Sequence, residues 1–97
     1  MTIWTEQELE FLRLAQRSLS DPDGLPRMAL GATDAGEPWC SIFCPKTGQA
    51  IVHFAKLRHG YLTITDGQSA IESKDLRTSI ETFILSWRAR RNAGHRG

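Results

Sequence analysis

Three turn signals between Asp34 and Gly60 limit what this chain can fold into more than any other feature. Asp34-Ala35-Gly36, Pro45-Lys46-Thr47-Gly48 and His59-Gly60 cut the stretch into apolar segments too brief for helices and long enough for strands. Connections this short can join only antiparallel neighbours, so the pattern predicts a meander. With Arg27–Thr33 as its first strand, the sheet is expected to have four.

Each turn also predicts a register. Closing the first with Thr33 opposite Glu37 sets Leu30 against Cys40 and Met28 against Ile42. The second, closed at Cys44 and Gln49, sets Ile42 against Ile51 and Cys40 against His53. The third pairs Leu57 with Leu62 and Ala55 with Ile64. These registers gather Met28, Leu30, Cys40, Ile42, Cys44, Ile51, His53, Ala55, Leu57, Leu62 and Ile64 on one face, the expected core face. The opposite face then carries Trp39, Phe43, Val52, Phe54 and Tyr61, too aromatic a set to meet water unaided.

A helix flanks the sheet on each side in sequence. Thr5 and Glu8 form a capping box, with Trp4 and Leu9 at the positions of a hydrophobic staple, and Ser20-Asp21-Pro22-Asp23-Gly24 ends the helix they open. In the second helix Leu76, Ile80, Phe83, Ile84 and Trp87 recur at helical spacing; Ser73 is the expected cap and Gly94 a suitable end. The predicted fold is α+β: an N-terminal helix, a four-stranded antiparallel meander and a C-terminal helix. Residues 1–93 form one small domain and residues 94–97 a basic tail.

A chain of 97 residues, 40% hydrophobic and 24% charged, suits one small core. Its formal net charge of +1 draws it to neither nucleic acid nor membranes as a whole, although Arg88, Arg90, Arg91, His95 and Arg96 concentrate positive charge at one end. The sequence starts without the pattern of a signal peptide, and no apolar run reaches the ~20 residues of a membrane span, so a cytoplasmic protein is expected. Cys40 and Cys44 lie four apart on one predicted strand, roughly 13 Å between Cα atoms, which is beyond disulfide reach.

The central stretch resembles a pattern in uncharacterised small bacterial proteins. Thr33, Asp34, Gly36, Pro38, Trp39, Phe43, Cys44, Gly48, His53, Phe54, Ala55 and Lys56 carry the resemblance. It implies a recurring module with no assigned activity, which in some similar proteins forms the soluble N-terminal part of a longer chain with a membrane segment.

Cys40 opposite His53 is the one pairing in which an imidazole would activate a nucleophile. Both fall on the expected core face, where a thiol packs as a small apolar group, so the residues read as structural and no catalytic site is expected. The cysteines are too far apart to share a metal ion, and no cofactor motif is present. The order of helix, strands and helix invites comparison with double-stranded RNA-binding domains, but the second helix opens Ser73-Lys74-Asp75-Leu76-Arg77 without a lysine cluster. The expected function is a non-enzymatic protein-interaction or regulatory module, self-associating as a homodimer through Trp39, Phe43, Val52, Phe54 and Tyr61. Helix 1 laid lengthwise with Phe11 and Leu14 toward the rings is the other way to cover that face. A nucleic-acid-binding regulator using Lys56, Arg88, Arg90, Arg91 and Arg96 is the alternative, and a small enzyme using Cys40 and His53 the most distant.

Overall fold

In a computed structural model, which describes residues 3–20, 24–65 and 70–94 with side chains to residue 89, the chain runs α1 (Glu6–Ser18), β1 (Arg27–Ala32), β2 (Pro38–Phe43), β3 (Ala50–Lys56), β4 (Tyr61–Thr65), β5 (Ile71–Ser73) and α2 (Leu76–Gly94). The strands form one antiparallel sheet in the order β1-β2-β3-β4-β5. The α+β architecture is the expected one, with five strands in place of four.

Local chemistry explains how the elements start. Thr5 caps α1, its hydroxyl accepting from the Glu8 amide at 3.1 Å while Glu8 returns a bond to the Thr5 amide at 2.7 Å. The cap of α2 is Asp75 rather than Ser73, since the Asp75 carboxylate accepts from the Thr78 hydroxyl at 2.8 Å and amide at 3.3 Å. A carboxylate there also faces the positive end of the helix dipole. Ser73 is instead the last residue of β5.

The first two turns close as their residues predict: Thr33 N–H bonds Glu37 O at 2.9 Å and Cys44 N–H bonds Gln49 O at 2.8 Å. Gly36 and Gly48, at φ +82° and +76°, supply the left-handed backbone those turns need. The register of β1 on β2 is as expected, with Leu30 opposite Cys40 and Met28 opposite Ile42. The third hairpin turns one residue earlier, on Arg58-His59, because Leu57 N–H bonds Gly60 O at 2.8 Å; Ala55 therefore faces Leu62. Gly60 is required for another reason: a Cβ there would lie 2.5 Å from the Ser73 carbonyl oxygen of the closely approaching β5.

The main departure lies between β2 and β3. Phe43 pairs with Ala50, but Ile42 pairs with Val52, so the register slips by one and Ile51 is the extra residue of a bulge. From Val52 onward β3 and β4 present the opposite faces to those expected. Val52 and Phe54 join Cys40 and Ile42 on the inner face, all 0% exposed. His53, Ala55, Leu62 and Ile64 move to the outer face.

Both helices cover the same inner face. Leu12, Ala15 and Leu19 of α1 and Leu76, Ile80 and Phe83 of α2 form one core with Cys40, Ile42, Val52 and Phe54. Burying a side chain of the size of Phe54 or Leu12 contributes about 1.5–3 kcal/mol each. Phe83 meets Phe54 edge-on, their centroids 6.1 Å apart. Phe11 and Leu14 belong to α1 on this inner side, so helix 1 does not shield the outer face. No helix among the described residues is long and apolar enough to cross a membrane.

Candidate functional site

The slipped register separates the residues that the sequence pattern brings together. Cys40 faces Phe54 in the core, while His53 lies on the outer face opposite Ser41. The Cys40–His53 pair therefore does not form. Burial pushes the Cys40 thiol up to about 12, the reverse of what a nucleophile needs. Cys40 is expected to resist a disulfide-forming thiol reagent at neutral pH and to react on unfolding; fast labelling of the native protein would contradict its place in the core.

The expected interface set is divided in the same way. Trp39 and Phe43 occupy the outer face, whereas Val52 and Phe54 are core residues beneath the helices and Tyr61 points inward. The alternative basic set also loses a member. Lys56 donates to a Glu8 carboxylate oxygen at 2.7 Å and to the Ile3 carbonyl at 2.9 Å, on the helix side. Arg88 is exposed on α2, the side chains of Arg90 and Arg91 lie beyond those described, and Arg96 with the rest of residues 95–97 lies outside the described residues.

Glu8 is the centre of a cluster that the sequence offered no means of finding, because its partners are 48 and 53 residues away. One carboxylate oxygen takes the Lys56 ammonium and the Thr5 amide; the other accepts from the Tyr61 hydroxyl. Burial pushes the Glu8 carboxyl up, but the hydrogen bonds from Lys56, Thr5 and Tyr61 outweigh it and hold the carboxyl below its ordinary range. The Tyr61 hydroxyl is pushed to about 12, first by burial and then by Glu8. With both oxygens engaged, the cluster clamps the start of α1 onto the β3–β4 hairpin.

On the outer face the bulge assembles a second polar group. Trp39 Nε1 donates to Ser41 Oγ at 2.8 Å, and Ser41 Oγ lies 2.7 Å from His53 Nδ1, with the indole and imidazole centroids 5.2 Å apart. A serine beside an imidazole invites a catalytic reading. Ser41 nevertheless stands in the middle of an internal strand paired on both sides, so the nearby strand amides are engaged in the ladder and do not converge as an oxyanion hole. The chain of bonds ties the Trp39 ring to Ser41 and His53 on the outer face. Arg27 covers Phe43 in a similar way, its guanidinium 4.9 Å from the ring centroid. Among the described residues no group of three or more histidine, cysteine or carboxylate side chains is placed to hold a metal ion.

The sheet's two edges differ. β5 has three residues, with Glu72 at its middle and Lys74 directly after it, whereas β1 has six and carries no charge, proline or bulge from Met28 to Ala32. Leu30 at its middle is 53% exposed, although it belongs to the inner face, because the helices do not reach that far. No family model, curated protein or solved structure matches the chain.

Proposed function

We propose that this protein is a non-enzymatic interaction module, cytoplasmic in keeping with two cysteines that form no disulfide, that associates with a second copy of itself by pairing β1 with β1. The supporting observation is the long, apolar, unguarded edge of β1 beside a short and guarded β5. An open row of backbone donors and acceptors is recognised by another extended strand, and an antiparallel copy of the same strand supplies one through a two-fold axis.

Side-chain alternation selects the register. An axis normal to the sheet keeps both helix layers on one side only if residues of like parity face each other, as when Leu30 meets Leu30 and Met28 meets Ala32 of the second copy. The two half-exposed leucines would then bury each other, and the outer faces bearing Trp39 and Phe43 would run on as one surface. A net charge of +1 offers little repulsion to such a dimer.

Sedimentation at micromolar concentration tests the reading. The wild type is expected to be dimeric and Leu30→Lys monomeric, with the circular dichroism and melting temperature of the fold retained. A monomeric wild type, or a dimer indifferent to Leu30→Lys, would refute pairing through β1.

A further inference from the structure

Hydroxyl groups line one side of α2. Ser79, Thr82 and Ser86 recur at i, i+3 and i+7, which places them along one helix stripe, and Thr63 and Thr65 stand two apart on the inner face of β4. The two patterns meet across a groove of about 220 Å³ between α2 and the β4–β5 end of the sheet, with Phe83 and Ile71 as its apolar part. Serine and threonine are poorer helix formers than alanine, so the stripe does not serve the helix itself.

Thr63 gives the groove its meaning. It is 7% exposed, lines the groove, and its Oγ1 has no hydrogen-bond partner among the described residues. Ser79, equally buried, spends its hydroxyl on the Asp75 carbonyl at 3.1 Å. A shape-matched valine at position 63 would pack in the strand as well and avoid the desolvation of an unpartnered hydroxyl. A hydroxyl there at that cost is accounted for by a bond made outside the protein.

We propose that this groove binds a neutral polyhydroxylated molecule of about monosaccharide size. Hydroxyls both donate and accept, and so match ligand hydroxyls of either orientation, while Phe83 and Ile71 suit the C–H faces of a sugar ring. Glu72 is the one ionisable residue among those described that line the groove, and its pairing opposite Leu62 assigns its side chain to the outer face. Among the described residues that line it there is no cation for an anion. The volume, about 220 Å³, falls below that of sites for drug-sized ligands, roughly 300–1,000 Å³.

An amide NMR titration of the full chain with glucose, ribose and inositol, and with a glucose phosphate as the charged control, tests the assignment. At least one neutral compound is expected to shift Thr63, Ser79, Thr82 and Ser86 saturably, and the phosphate to do so more weakly. Thr63→Val is expected to weaken that binding about five- to tenfold, the worth of one neutral hydrogen bond, with the melting temperature unchanged or raised. Ser86→Ala, at an exposed helix position, should weaken it comparably without touching the core. Saturable shifts from none of the neutral compounds, equal or tighter binding of the phosphate, or binding indifferent to both substitutions would overturn the site. A lowered melting temperature for Thr63→Val would also overturn it, by showing the hydroxyl to be spent within the fold.

Discussion

Phe54→Ala is expected to cost about 3–5 kcal/mol, the range for removing a fully buried aromatic side chain. Phe54 is 0% exposed and meets Phe83 edge-on, so its loss opens a cavity between the sheet and α2 that neither a strand nor a capped helix can readily close. Domains of this size are stable by about 5–15 kcal/mol in all, so the variant should unfold at a far lower urea concentration or fail to fold at 37 °C. The experiment also discriminates between two registers. In the one predicted from the turns alone Phe54 is an outer-face interface residue, and its replacement would dissociate a dimer while leaving the fold intact.

Glu8→Ala is expected to cost about 2–4 kcal/mol, because it strips the Lys56 ammonium, the Tyr61 hydroxyl and the Thr5 amide of their common acceptor at once. Glu8→Gln should recover part of this by keeping an acceptor without the charge. The same cluster predicts a pH profile. The folded carboxyl sits below its unfolded value, so its contribution is complete above the ordinary carboxylate pKa and is lost as the pH falls through the lowered one. Tyr61 works in the opposite sense: its hydroxyl is raised to about 12, so its contribution is complete below the ordinary tyrosine pKa of about 10 and disappears as the pH climbs toward the folded value. Urea midpoints measured across both ranges should fall at each end in the wild type, and in Glu8→Gln both the acid and the alkaline fall should shrink, the Asp75 cap leaving part of the acid one. A profile identical in the two proteins would mean that Glu8 is not the acceptor.

Much of the fold was legible because it depends on neighbours in sequence. The capping box at Thr5 and Glu8, the glycine-dependent turns before Glu37 and Gln49, the register of β1 on β2 and the apolar stripe of α2 all rest on residues a few positions apart. The candidate sites were much less so. The interface set was drawn from a face that the bulge at Ile51 divides, leaving Trp39 and Phe43 outside and taking Val52 and Phe54 into the core. The hydroxyl groove did leave a trace, the spacing of Ser79, Thr82 and Ser86, but only the approach of β4 gives that stripe a counterpart.

By itself the sequence determined where the first two turns lie, where α1 begins, and that an antiparallel sheet lies between two helices, because capping bonds, positive φ and apolar periodicity are settled within a few residues. The tertiary structure decided which face of β3 is the core. Ala50-Ile51-Val52-His53-Phe54-Ala55 carries apolar residues at both parities, so the turn at Gly48 left either face open, whereas two helices packed on one side favour the register that buries Val52 and Phe54 over the one that buries His53. It also decided the fifth strand, whose three residues are too few to carry a period and which pairs because Gly60 leaves room for its backbone. The Glu8 cluster likewise exists only once α1 lies against β3 and β4, since nothing short of the folded chain brings a carboxylate near the amino terminus to a lysine and a tyrosine some fifty residues away.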